Sequence, residues 1–266
     1  MYLLPRFIQE DGLSEFVLDG LKEGLVLDLS EMRHLFEDNS ELTKLSIKNT
    51  SKIDPESLEH LITMICDLIR SKPPKLTDLD FESIGGIAEQ GCLILEALLD
   101  SELQVKTLNI SKNKDWTSYE NYNSMLCSVL SYNANLTSLN IAGNWTEEET
   151  QEQEQILPML NAVQNLEELI LFDPTLRENK HPCFTPDFIN HVFQSENKDK
   201  IIQLLYSQRK EISIYQKPEW FRQPGYSERL AEIVTQFVQL EHFLLGHCEV
   251  EGSFMKTILA ALYASM

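Results

Sequence analysis

Glycine, proline and cysteine are all sparse in this 266-residue chain, at ten, ten and five. So few glycines and prolines exclude a flexible linker, a collagen-like array and a proline-rich ligand segment. The cysteines, Cys66, Cys92, Cys127, Cys183 and Cys248, are odd in number, widely spread and form no CxxC pair. That pattern argues against a disulfide framework and for free thiols in a reducing compartment. Basic residues are also short, 22 against 42 acidic ones, for a formal charge of −20. Such a field repels phosphate backbones and anionic lipid heads. It predicts no nucleic-acid and no membrane partner, and it favours a basic protein partner unless the charge serves solubility alone. No apolar run approaches the roughly 18 residues of a membrane span. The start, Met1-Tyr-Leu-Leu-Pro-Arg, lacks the basic and then apolar stretch of a signal peptide, which predicts a cytoplasmic location.

Catalytic and metal signatures are missing as well. No GxSxG, HExxH, P-loop or GxGxxG occurs. His181-Pro-Cys183 with His191 fits no standard zinc spacing, and His242 and His247 point different ways. The expectation is a non-enzyme with no cofactor and no metal. Sequons at Asn49, Asn135 and Asn144 mean little without a secretory signal.

What the chain does have is a repeat. Leu42-Thr-Lys-Leu45-Ser-Ile47 returns as Leu76-Thr-Asp-Leu79-Asp-Phe81, as Val105-Lys-Thr-Leu108-Asn-Ile110 and as Leu136-Thr-Ser-Leu139-Asn-Ile141. Leu166-Glu-Glu-Leu169-Ile-Leu171 follows, then a degenerate Arg209-Lys-Glu-Ile212-Ser-Ile214, then Leu240-Glu-His-Phe243-Leu-Leu245. Successive starts lie 34, 29, 31, 30, 43 and 31 residues apart, and a weaker Leu27-Asp-Leu29 opens the array. Spacing of that constancy is not chance alternation.

Between these strands the apolar spacing turns helical. Leu58, Leu61, Ile62 and Ile65 fall at i, i+3, i+4 and i+7, as do Tyr122, Met125, Leu126 and Val129, and Leu230, Ile233, Val234 and Phe237. Asp54-Pro55 and Thr185-Pro186 supply N-caps before a first-turn proline, and Ser227 reads as another cap. Each unit is one strand and one helix, and neither buries its apolar face without its neighbours. Strands spaced about 4.8 Å apart against helices about 10 Å apart must line the inside of an arc.

These residues resemble the leucine-rich-repeat superfamily, in its ribonuclease-inhibitor-like branch with long helix-bearing repeats. Leu136 to Asn144 meets LxxLxLxxN in full, Val105 to Asn113 nearly does, and Leu240 to Cys248 ends on the cysteine variant. The resemblance implies an α/β horseshoe of about seven repeats. It also implies that Asn113, Asn144 and Cys248 bond backbone in the turn after the strand. The chain departs from the pattern at Thr50, Ile84, Pro174 and Arg209. Its irregular Lys- and Asn-containing repeats are similar to those of secreted bacterial effectors and of protist proteins, for which the location would be a host cytosol. The expected organisation is an N-terminal cap over 1–24, repeats over 25–252 with a long irregular one at 172–209, and a C-terminal helix over 253–266.

With the Leu positions inside, alternation puts the remaining strand residues on the concave face. Lys44, Ser46 and Lys48 open it. Asp78, Asp80 and Glu82 follow, then Thr107, Asn109 and Ser111, then Ser138, Asn140 and Ala142. Further along stand Ile170, Phe172, Tyr215 and Leu244, either as apolar anchors for a partner or as groups that the long repeat folds over. The Asp78, Asp80, Glu82 triple would meet Lys or Arg of a basic partner, hold calcium, or simply be solvated. The loop Pro218–Tyr226, with Trp220 and Phe221, has the composition of a binding hot spot or packs under the rim. The leading function is a non-catalytic protein-binding module. The alternatives are a regulator of a small GTPase, which one ribonuclease-inhibitor-like branch is, and a scaffold that self-associates through the apolar C-terminal helix.

Overall fold

The computed structural model describes residues 14–20, 41–50, 52–86, 88–144, 158, 161–162, 165–171, 185–206, 211–215, 218–236, 242–246 and 252–265. It is an α/β protein. Strands β1 (Glu15–Asp19), β2 (Lys44–Lys48), β3 (Asp78–Asp80), β4 (Thr107–Asn109), β5 (Ser138–Asn140) and β6 (Glu168–Ile170) form one sheet in sequence order. Helices α1 (Pro55–Arg70), α2 (Ala88–Ser101) and α3 (Tyr122–Tyr132) connect β2 to β3, β3 to β4 and β4 to β5, with a 3-10 turn at Lys114–Ser118 before α3. The chain divides into two compact units, residues 1–145 with 162–168 and residues 146–161 with 169–266.

In the first unit the register is parallel and unbroken: Phe16, Leu45, Leu79, Leu108 and Leu139 lie side by side. All five are fully buried, and so are Ile47, Phe81, Ile110 and Ile141 two residues further on. Leu42, Leu76, Val105, Leu136 and Leu166 make a third apolar column, at most 1% exposed. The three apolar letters of the motif are thus three rows of one continuous core. Leu58, Leu61, Ile62 and Ile65 close it from α1, which packs on α2, and α2 packs on α3. The first helix starts as the sequence implies, with Asp54 accepting from the Ser57 backbone N–H at 2.9 Å.

The strand Glu15–Asp19, in the stretch expected to be a cap, pairs in parallel with β2 and so joins the sheet. Leu27 and Leu29 lie outside the described residues. The turn after each of β1 to β5 has one fixed conformation. Gly20, Asn49, Ser83, Lys112 and Gly143, each four residues beyond the row of Phe16 and the leucines, all have φ between 53° and 74°. Only two of the five are glycine, so the neighbouring hydrogen bonds hold the left-handed geometry against its steric cost.

Gly91 in α2 reflects a different constraint. The buried Trp116 ring lies against it, and a Cβ there would sit 2.3 Å from the indole. Trp116 also donates its indole N–H to the Gly85 carbonyl at 3.1 Å.

The second unit contains α4 (Pro186–Gln194), α5 (Lys198–Tyr206), β7 (Glu211–Tyr215), α6 (Pro218–Phe221), α7 (Tyr226–Thr235), β8 (His242–Gly246) and α8 (Gly252–Ser265). The degenerate copy at Arg209–Ile214 does form a strand: β7 pairs in parallel with β8, with Ile212 beside Phe243. Thr185 caps α4, accepting from the Phe188 N–H at 3.3 Å. Ser227 is not a cap. Gly225, at φ 75°, takes that place and Ser227 lies inside α7. Pro218–Phe221 is a short helix where a loop was expected, with proline at its first position.

Candidate protein-binding face

The sheet of the first unit has one solvent side, and the register sets what stands on it. Across the strands run Lys44, Asp78, Thr107 and Ser138 in one row and Ser46, Asp80, Asn109 and Asn140 in the next. Most of these are half-buried. Ser46, Ser111 and Ala142, expected on the exposed face, are instead at most 4% exposed, because small side chains sink between bulkier neighbours.

Charge on this face is largely satisfied from within. Lys48 reaches Asp80 at 2.5 Å, and the same carboxylate accepts from the Asn109 amide at 2.8 Å. The hydrogen bond that Lys48 donates to Asp80 holds its ammonium above its ordinary range despite burial, with the charges of Asp80, Glu82 and Asp19 adding attraction. Lys112 pairs with Glu82 at 2.6 Å, and Asp78 accepts from the Thr77 hydroxyl at 2.7 Å. The acidic triple is therefore not a bare carboxylate cluster awaiting a basic partner or calcium, because Asp80 and Glu82 already hold lysines of this chain.

Beyond β4 the character changes. From Asn121 to Thr146 the sequence contains no Asp, Glu, Lys, Arg or His. Its exposed strand positions are Ser138, which donates to Glu168 at 2.7 Å, and Asn140, whose side-chain oxygen accepts from the Ala142 N–H at 3.1 Å.

Beneath the face runs the ladder that the resemblance implied for Asn113 and Asn144, and both are buried. Asn113 accepts from the Ile84 N–H at 2.9 Å and donates to the carbonyls of Phe81, Ile110 and Ser111. Asn144 accepts from the Asn113 N–H at 2.8 Å and donates to the Ile110 carbonyl at 2.9 Å. Where Thr50 departs from the asparagine pattern, its hydroxyl donates to the Ile84 carbonyl at 2.5 Å, so a shorter side chain still spans the step. Ile84 joins through its backbone while its side chain enters the core. A second tie was not foreseen: the buried Asn133 accepts from the Val105 N–H at 3.0 Å and donates to the Val129 carbonyl. Cys248 lies outside the described residues.

The remaining site expectations concern the second unit. Ile170 is half-buried on β6. Phe172 lies outside the described residues, and Tyr215 and Leu244 are placed only by their backbone, beside Gly246 and Ser213. Phe221 is corrected. It is 7% exposed, edge-on to Phe254 at 4.6 Å and to Tyr226 at 5.6 Å, and so belongs to the core. Trp220 is half-buried, with its ring edge-on to Tyr226 at 6.4 Å.

Burial pushes the thiols of Cys66 and Cys92 up to about 11 and raises that of Cys127. Such thiols stay protonated and inert at neutral pH. Among the described residues no group of three His, Cys, Asp or Glu could hold a metal, and no helix is long and apolar enough to cross a membrane.

These features define a class of protein, a parallel strand–helix repeat with polar side chains threaded through its turns. No family model matches the chain, and no curated protein does. Among solved structures, the tropomodulin C-terminal domain from Caenorhabditis elegans is similar at 15% identity and a TM-score of 0.35. That match covers 56% of this chain and 84% of that domain. The likeness is too loose to bear on partner or activity, and the register and ladder carry the description of the fold.

Proposed function

We propose that the chain is a leucine-rich-repeat protein of the long, helix-bearing, ribonuclease-inhibitor-like type, and that it holds another protein on the solvent face of its sheet without catalysing a reaction. The observation that carries this reading is the in-register face itself. Equivalent positions of successive strands project one way over a core with no gap in its rows. An array of this kind offers breadth and repetition, which suit a polypeptide surface better than a small substrate.

The chemistry of the face narrows the partner. Its β2–β3 end is occupied by Lys48–Asp80 and Lys112–Glu82, so a basic partner would have to compete with lysines already in place. The uncharged patch around Thr107, Ser138 and Asn140, between Asp80 and Glu168, is where hydrogen bonds and apolar contact would act. Recognition there resists salt, whereas recognition by the acidic field fades as salt screens it. Nothing observed favours regulation of a small GTPase.

The test is capture of partners by the immobilised chain at low and high salt, beside a Thr107→Arg/Asn140→Arg variant and a Phe172→Ala/Tyr215→Ala variant. A protein retained at high salt and lost with the first variant supports the uncharged patch. Loss only with the second moves the site to the later repeats. Loss with salt alone supports a basic partner.

A further inference from the structure

We propose that the outer face of the last helix, α8, is a two-fold contact that joins two copies of this chain. The helix has two apolar sides. One packs on α7 through Phe254, Ile258 and Ala261, which are 2%, 1% and 7% exposed. The other carries Met255, Leu259 and Tyr263 at 38%, 51% and 84% exposure. Spaced by four residues, these three form one stripe along the helix. The other exposed large apolar side chains among the described residues, Val17, Leu93 and Tyr132, each stand on a separate element. Only α8 offers such a group in a row.

Charge decides what covers the stripe. The whole chain carries −20, so two copies repel each other over most of their surface. Residues 252–266 contain no acid, and Lys256 is their only charged side chain. The helix itself therefore brings no carboxylate side chain to a second copy, the nearest in sequence being Glu251 before its start.

The stripe is also self-complementary. It is symmetric about Leu259, and a two-fold contact requires one surface to fit itself. With the two helices antiparallel, Leu259 meets Leu259 of the second copy and Met255 meets Tyr263, while the exposed Ala260 lets the backbones approach. Lys256 then lies at the other helix's C-terminal turn, where unpaired carbonyls carry negative partial charge. The stripe is about 12 Å long at 1.5 Å per residue. That is less than the roughly 800 Å² per partner of a stable interface needs, so the dimer is a weak one of the micromolar range. A two-fold contact closes on itself. It makes a dimer and stops, in contrast to the end-to-end scaffold expected from the sequence.

The experiment is sedimentation of the full chain from micromolar to millimolar concentration. Mass is expected to rise from 30.7 kDa toward twice that value. Leu259→Glu, a change at an exposed position, is expected to keep the melting temperature and hold the chain monomeric. Mild oxidation of Leu259→Cys is expected to give a covalent dimer above the background of the natural cysteines. Met255→Cys is not, since the two-fold sets it far from its own copy. The proposal is overturned by a monomer at every concentration, by a dimer that survives Leu259→Glu, or by equal cross-linking of the two cysteine variants. A lowered melting temperature in Leu259→Glu, compared at a concentration where wild type is monomeric, would overturn it too, since the chain itself would then cover the face.

Discussion

In the first unit the turn after nearly every strand is tied to the next by a buried polar side chain: Thr50 to Ile84, Asn113 to Ile84 and Phe81, Asn144 to Asn113. In the second unit the described cohesion is mostly apolar, with Phe221 between Tyr226 and Phe254 and with α7 against α8. Its described polar links include the exposed pair of Lys198 with Glu232 at 2.6 Å and a part-buried hydrogen bond from Arg229 to Asn190. A buried amide that must reach the backbone of the neighbouring turn tolerates little variation, and the motif starts of the first unit stay within 29 to 34 residues. The 43-residue interval between Leu166 and Arg209 holds both α4 and α5.

Changes that attack each kind of cohesion sharpen the comparison. The largest effect is expected from Asn113→Leu, which strands several buried backbone groups at once. It should cost about 3–5 kcal/mol in denaturant unfolding, and a cost under about 1 kcal/mol would make the ladder incidental. Phe221→Ala should cost about 3 kcal/mol through the cavity beside Phe254, with Trp220→Ala costing clearly less. Equal costs would return Phe221 to the surface. Gly91→Ala should cost about 1–3 kcal/mol by overpacking against Trp116, and a blue or red shift of tryptophan emission would report the displaced ring.

The smallest effect is expected at Lys48, whose pair with Asp80 is partly solvated. Lys48→Met should cost about 1 kcal/mol or less. Because the folded ammonium is held above its ordinary range, its contribution is complete below about 10.5 and fades as pH rises beyond that. Wild type and variant should therefore converge in stability at strongly alkaline pH. A gap that widens there would contradict the pairing.

Much of the first unit was legible because one apolar period repeats with few exceptions, and Asn113 and Asn144 announce the ladder by residue type. The first strand escaped notice because Phe16 stands where leucine is usual, although Leu13-Ser-Glu-Phe16-Val-Leu18 keeps the spacing. The left-handed turn position hid behind Ser83 and Lys112, residues that do not advertise a positive φ, although Asn49 does. Pro218 was a helix-start signal within a segment whose aromatic composition drew a binding interpretation. The pairing of Lys48 with Asp80 could not be read from composition. It depends on strand register, and register turned an apparently free acidic strand into a satisfied one.

The central claim is that the uncharged patch of the first unit's sheet face, around Thr107, Ser138 and Asn140, holds a partner. The most direct test is the affinity of a captured protein for wild type and for Thr107→Arg/Asn140→Arg, each at low and high salt. The prediction is a loss of about tenfold or more in the variant and little change with salt in wild type. Unchanged binding by a folded variant, or wild-type binding that collapses with salt, would contradict it.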